Sequence, residues 1–108
     1  MIVIYEVNLE LDRTIEIDFA RWLNAHVKEM LTLPGFVAAE VATEERETGQ
    51  PARWSVRYSL KSRPALEAYF RDHAERMRAA GIARFGQGLS ASRRILLPVE
   101  GGQKPDQA

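Results

Sequence analysis

Cysteine is absent from this sequence of 108 residues. Disulfides, thiolate metal sites and cysteine nucleophiles are therefore excluded, and the composition suits a reducing compartment. The chain also lacks an excess of one charge, because 15 basic and 15 acidic side chains give a net charge of +0. Proteins that bind nucleic acid usually carry a basic excess, so we expect no nucleic-acid partner.

Long apolar runs are missing as well. No stretch approaches the roughly 20 residues that span a bilayer, and residues 1–7 lack the basic and long apolar regions of a signal peptide. We therefore expect a soluble, cytoplasmic protein without a membrane partner. The length fits one domain with a single hydrophobic core, and the hydrophobic fraction of 45% is typical of a globular protein.

Four segments are predicted to be β-strands, and the first and third alternate between apolar and polar side chains, which is the pattern of a half-buried strand. They cover residues 2–11, 36–43, 52–60 and 89–99. The first is apolar on both faces at its start, which favours a central strand. In the third, Trp54, Val56 and Tyr58 share one face and alternate with polar residues.

Two amphipathic helices are predicted between these strands. The first has an apolar stripe at helical spacing and ends at Pro34 and Gly35; the stripe contains Phe19, Trp22, Leu23, His26, Val27, Met30 and Leu31. The second begins with Ser62 as its N-cap and Pro64 in its first turn. We expect it to break at Gly81, after a stripe of Leu66, Tyr69, Phe70, His73 and Met77.

The order strand–helix–strand–strand–helix–strand predicts an α+β fold, the ferredoxin-like βαββαβ sandwich. In that fold a four-stranded antiparallel sheet carries both helices on one face, with the first and third strands at its centre. We expect one such domain over residues 1–99, followed by a flexible polar tail over residues 100–108.

The face of the sheet opposite the helices is predicted to carry Ile4, Glu6, Asn8 and Arg57 together with an arginine of the last strand. Glu6 and Arg57 would lie on neighbouring central strands, and Arg93 or Arg94 would reach the other side of Glu6. We therefore expect an Arg–Glu–Arg cluster. If two subunits pack through this face, the interface consists of Ile4, Glu6, Asn8, Arg57 and Arg94.

The sequence resembles an uncharacterised family of small bacterial domains of unknown function over about residues 1–97. The matching stretches are 4–7, Trp22-Leu23 with His26-Val27 and Met30-Leu31, Pro34-Gly35-Phe36, 55–58, Leu66 with Tyr69, and Arg84-Phe85-Gly86. More distantly, the chain is similar to the dimeric α+β barrel superfamily, which includes cofactor-free monooxygenases. This resemblance implies a homodimer, and it assigns no reaction.

His26 and His73 are the candidate catalytic residues, because imidazole titrates near neutrality. A lone histidine on an apolar stripe is more often a core residue that hydrogen bonds a backbone carbonyl or a carboxylate. No spacing of ligands indicates a metal site, and we expect no cofactor. A pocket between the helices and the sheet would contain Trp22, His26, Trp54, Tyr58 and His73.

Three functions fit these features. The first is a homodimeric module that binds a small ligand or regulates in response to one. The second is a cofactor-free, monooxygenase-like enzyme for a small organic substrate, with His26 or His73 as its base. The third is a structural or interaction module whose dimer is the functional surface.

Overall fold

A computed structural model describes residues 1–100, so the tail predicted over residues 100–108 lies almost entirely outside the described part. The chain forms four strands, three α-helices and two short 3₁₀ turns, at Arg13–Ile15 and Gly86–Gly88. In chain order the main elements are β1 (Val3–Leu11), α1 (Glu16–Met30), β2 (Phe36–Thr43), β3 (Ala52–Leu60), α2 (Arg63–Asp72), α3 (Ala74–Phe85) and β4 (Leu89–Leu96).

The four strands form one antiparallel sheet in the order β2-β3-β1-β4. The ferredoxin-like fold and the central position of β1 and β3 are therefore confirmed. Register places Tyr5 opposite Tyr58 on β3 and Ile95 on β4, while Glu6 lies opposite Arg57 and Arg94. Because neighbouring residues of a strand point to opposite faces, these two sets belong to opposite sides of the sheet.

Both helical segments pack on the face that carries Tyr5, as expected. The ring of Tyr5 contacts Tyr69 of α2, and Phe19 of α1 meets Trp54 of β3 edge-on. The most deeply buried large side chains include Leu11, Phe19, Met30, Leu60 and Leu66, so one apolar core fills the space between helices and sheet. In the described range of residues 1–100, no helix has the length and apolarity needed to cross a membrane.

The second helical segment differs from the prediction in where it breaks. Ser62 does cap it, since its hydroxyl accepts a hydrogen bond from the backbone N–H of Ala65 at 3.2 Å. The break falls at His73, whose φ of −134° is not helical, and α3 then continues through Gly81 to Phe85. Gly81 is buried and faces Trp22. The absence of a side chain there lets α3 pack closely against Trp22, and the helix continues through this position.

The last strand is also shorter than predicted. It ends at Leu96 and leaves Pro98 and Val99 outside the sheet. Proline has no N–H to give to a strand ladder, which is consistent with its place beyond the last paired residue. Leu97 and Val99 are exposed as a result.

Candidate functional site

A cavity of about 300 Å³ lies between the sheet, α1 and α3. The residues around it come from three strands and all three α-helices, so it is formed by the tertiary fold and not by any one segment. Most of them are aromatic or aliphatic. The principal lining residues are Tyr5, Val7, Leu9, Phe19, Trp22, Leu23, His26, Met30, Val56, Tyr58, Tyr69, Met77, Arg78, Gly81, Leu89, Ala91 and Arg93.

Trp22 and His26 form the α1 side of this cavity. They are one helical turn apart, and their rings stack with centroids separated by 4.4 Å and planes inclined by 17°. Gly81 of α3 lies against the indole, and a Cβ atom there would come within 3.2 Å of Trp22. The absence of a side chain at Gly81 therefore sets how closely α3 approaches this wall.

The imidazole of His26 is partly buried. Burial lowers the pKa of its imidazole, and the nearby carboxylate of Glu29 only partly offsets this effect. Because desolvation disfavours the charged form, the ring is neutral at pH 7. A neutral imidazole facing a cavity can accept a proton from a bound molecule.

Three tyrosines, Tyr5, Tyr58 and Tyr69, form the sheet side and the α2 side of the cavity. The ring centroids of Tyr5 and Tyr58 are 6.2 Å apart, and those of Tyr5 and Tyr69 are 5.8 Å apart. Burial raises the pKa of Tyr58 strongly and that of Tyr69 to about 12, so both hydroxyls remain protonated. A protonated phenol can donate a hydrogen bond to an anionic or carbonyl oxygen.

Two arginines, Arg78 and Arg93, complete the lining. Arg78 donates a hydrogen bond to the hydroxyl of Tyr5 at 3.1 Å, and its guanidinium lies 5.9 Å from the centre of the Phe70 ring. Arg93 projects from β4 opposite Val7, on the helix side of the sheet. No aspartate or glutamate is among the lining residues, so the charge around the cavity is positive.

The pocket predicted from the sequence overlaps only in part with this cavity. Trp22, His26 and Tyr58 line it, whereas Trp54 and His73 lie outside its lining. The indole N–H of Trp54 donates to Glu16 at 3.1 Å instead. His73 occupies the break between α2 and α3, where its Nδ1 lies 3.1 Å from Arg76. The two histidines therefore do not share the cavity.

Sequence reasoning missed four lining residues with polar groups: Tyr5, Tyr69, Arg78 and Arg93. The alternation of β1 and the stripe of the second helix already placed both tyrosines on core-facing surfaces. The signal for Arg93 is weaker, because the pair Arg93-Arg94 must point one residue to each face and only the register decides which. Arg78 gives no signal, since the sequence shows a basic helical segment typical of a solvated surface.

The opposite face of the sheet contains the predicted Arg–Glu–Arg cluster. The carboxylate of Glu6 accepts hydrogen bonds from Arg57 at 2.6 Å, from Asn8 at 2.8 Å and from Arg94. These partners cover Glu6, which is only 1% exposed although none of the helices in the described part of the chain packs over it. The bonds from Arg94 and Asn8, with a smaller one from Arg57, lower the pKa of Glu6 to about 2.

The described residues hold no group of three or more histidine, aspartate or glutamate side chains that could bind a metal. Glu6 and Glu16 already form ion pairs with arginines. Glu16 is an example, because Arg46 binds its two oxygens at 2.6 and 3.2 Å and Trp54 donates a third hydrogen bond. This cluster holds the loop after β2 against the start of α1.

Comparison with known proteins gives one family match. The family described as "Domain of unknown function (DUF4286)" matches residues 2–99, which agrees with the resemblance found in the sequence. A comparison with curated proteins gives no match.

Solved structures share the fold at low sequence identity. A dimeric ferredoxin-like protein from an uncultured marine organism is 14% identical, with a TM-score of 0.70 over 94% of this chain and 98% of that one. An ethyl tert-butyl ether D (EthD) family protein from Bacillus halodurans is 14% identical, with a TM-score of 0.69 over 92% and 100%. SnoaB, a cofactor-independent oxygenase from Streptomyces nogalater, is 11% identical, with a TM-score of 0.67 over 93% and 96%. These likenesses show the fold alone.

Proposed function

The chain belongs to the DUF4286 family of domains of unknown function, and we propose that within it this protein is a homodimeric module that binds a small organic ligand. The ligand would occupy the cavity between the sheet, α1 and α3. We expect the module to act in the cytoplasm, as its cysteine-free composition suggests.

The cavity itself is the observation that carries this proposal. Its volume of about 300 Å³ falls at the lower end of the range for small-molecule pockets, roughly 300–1,000 Å³. Its walls are mainly apolar with a few polar groups, which is the usual composition of such pockets. A core built only for stability would be filled to high density, so an open space lined by Trp22, His26 and Arg93 favours a binding role.

Native mass spectrometry of freshly purified protein tests the binding role. We expect a reproducible extra mass that is lost on mild denaturation. Ala91→Leu, at the β4 side of the cavity, should remove that mass. Ala80→Leu is the control, because Ala80 is exposed on α3 and outside the lining. An extra mass that survives Ala91→Leu, or none in any preparation, would contradict the proposal.

The uncovered sheet face supports the homodimer. It carries the Glu6 cluster, in which a buried carboxylate and two arginines form a preorganised patch that no element within residues 1–100 covers. A protein of the same fold is described as a dimeric ferredoxin-like protein. In our proposal two copies pack through these faces, and Ile4, Glu6, Asn8, Arg57 and Arg94 form the interface. The cluster fixes the register of that contact and need not stabilise it, because desolvation of charges is costly.

Sedimentation velocity at micromolar concentration tests the dimer. Ser55 lies opposite Asn8 on the open face, so Ser55→Arg should place two cations near one another in a symmetric interface and shift the protein to monomer. Ala80→Arg adds the same charge on the helix side and should leave the dimer intact. A wild-type protein that sediments as a monomer would exclude this assembly.

A second candidate function is a cofactor-free enzyme, and the state of His26 favours it. Burial lowers the pKa of its imidazole, and the ring lies at the cavity beside Trp22, so a neutral ring nitrogen is available to take a proton from a bound molecule. The cofactor-independent oxygenase SnoaB has the same fold. Oxygen uptake with a polyhydroxylated naphthalene would test this function.

In the enzyme case, His26→Ala should abolish turnover and largely spare ligand affinity. His73→Ala is the matched control, because His73 lies outside the cavity, and it should leave turnover unchanged. Equal activity in wild type and His26→Ala would exclude His26 as the base and leave the binding function as the better description.

A further inference from the structure

Two arginines at the cavity have no acidic partner. Within residues 1–100, neither Arg78 nor Arg93 takes part in a salt bridge, although eight other ion pairs form. Arg94, the immediate neighbour of Arg93, pairs with Glu6 on the other face. Alternation along β4 therefore directs Arg94 to Glu6 and directs Arg93 to the cavity, where Arg93 has no acidic partner.

Both arginines act on the same part of the cavity. Each lies close enough to Tyr69 for its positive charge to favour the ionised phenol, against the larger effect of burial. Arg78 also donates to the hydroxyl of Tyr5, and Arg93 projects from the β4 position opposite Val7, two residues further along β1. The positive charge is therefore concentrated at the Tyr5 end of the lining.

The hydroxyls of two buried tyrosines at this end provide a second, independent observation. Tyr58 and Tyr69 are 2% and 3% exposed, and no described protein group hydrogen bonds to either hydroxyl. Among the described residues, every side-chain nitrogen or oxygen atom that is buried from solvent has a hydrogen-bond partner. A hydroxyl without such a partner is therefore not fully buried. Both hydroxyls are therefore accessible, and the cavity is the space that their side chains line. They remain protonated, so they are available as hydrogen-bond donors.

We propose that the ligand of this cavity is a planar aromatic acid whose carboxylate binds Arg78 and Arg93. The tyrosine hydroxyls supply further hydrogen bonds to the carboxylate, and the ring system packs against Phe19 and Trp22. Guanidinium groups match the planar geometry of a carboxylate and bind it more strongly than neutral donors do. No acidic side chain lines the cavity to compete for them. This inference rests on the proposed binding function.

Isothermal titration calorimetry with two matched probes tests the charge of the ligand. The probes are 2-naphthoate and 2-naphthamide, which share ring system and shape and differ in charge. We expect the carboxylate to bind about tenfold more tightly than the amide, which is the usual effect of hydrogen bonds to a charged group. Added sodium chloride should weaken only the carboxylate, because salt screens charge–charge attraction.

Substitution of the arginines assigns the effect to this site. Arg78→Met and Arg93→Met should each weaken 2-naphthoate about tenfold and leave 2-naphthamide unchanged. Arg84→Met is the matched control, since Arg84 is an exposed arginine of α3 outside the lining. Circular dichroism of each variant checks that the fold is retained.

The outcomes separate this inference from the proposed function. If both probes bind equally well and the arginine variants change neither, the cavity binds ligands but not anions, and the inference fails alone. If a preference for carboxylate survives both arginine variants, the anion lies elsewhere and the assignment to Arg78 and Arg93 is wrong. If neither probe binds, the inference is overturned, and the mass-spectrometry experiment decides the fate of the proposed function.

Discussion

Replacing Glu6 by glutamine removes one negative charge from the centre of the open sheet face. The wild-type carboxylate is 1% exposed and accepts hydrogen bonds from Arg94, Arg57 and Asn8. A glutamine retains the shape, but it replaces an acceptor oxygen with an NH₂ donor that faces donors. We therefore expect Glu6→Gln to destabilise the fold.

The magnitude follows from the pKa of Glu6, which the hydrogen bonds lower from 4.5 to about 2. A difference of that size corresponds to at most about 3 kcal/mol of unfolding free energy at neutral pH. The side chains of Arg57 and Arg94 are 48% and 61% exposed, so solvent screening reduces the effect. We expect Glu6→Gln to cost about 1–2 kcal/mol at pH 7.

The pH dependence provides the sharper test. Because the pKa of Glu6 is lower in the folded state, its contribution is complete above about pH 4.5 and is lost as the pH falls towards 2. The stability difference between wild type and Glu6→Gln should therefore shrink by roughly half by pH 3. Urea unfolding at pH 7 and pH 3, at one fixed protein concentration, measures it.

Glu10→Gln is the matched control for this experiment. Glu10 lies on the same strand and the same face, and it pairs with Arg53 at 3.3 Å, but both side chains are about half exposed. Exposed pairs contribute less than about 1 kcal/mol, so Glu10→Gln should have a small effect. Equal costs for the two substitutions, or a cost of Glu6→Gln that does not change with pH, would refute the reasoning.

Two further predictions concern the connections between elements. Gly35→Ala should cost more than about 2 kcal/mol in urea unfolding, because Gly35 has a φ of +86° and an added Cβ would come within 2.6 Å of the Cβ of Ala65; an unchanged midpoint would contradict this. Glu16→Gln should cost about 1–2 kcal/mol and speed proteolysis of the loop after β2, because Glu16 binds both Arg46 and the indole of Trp54. Unaltered cleavage of that loop would show that this cluster does not hold it.

The fold follows from sequence patterns with local physical causes. The alternation in β1 and β3 fixes which side chains face the helices, since neighbouring residues of a strand point to opposite faces. The Ser62 cap marks the start of α2 because it satisfies a local backbone requirement. The predicted end of the first helix at Pro34 and Gly35 was wrong, because α1 ends at Met30 with Leu31 as its C-cap and Gly35 lies in the turn that leads to β2. The predicted break at Gly81 was wrong because its interior position is set by contact with Trp22, which is a tertiary relation.

The candidate site was predictable only in part, for the same reason. Trp22 and His26 are one turn apart on a single helix, so their stacking follows from helical geometry. His73 shows the same spacing within its own stripe, but the kink between α2 and α3 leaves it outside the cavity. Spacing within a segment does not determine where two segments converge.

The sequence by itself determined the order of the elements, the helix-facing surface of the sheet and the pairing of Glu6 with Arg57, because each depends on periodicity and on the known pairing of this topology. Only the tertiary structure decided that Arg93 faces the cavity while Arg94 binds Glu6. The register of β4 against β1 sets this choice, and a slip of one residue would exchange the two arginines between faces. Register is fixed by packing of the whole sheet, so the charge of the cavity is a property of the fold.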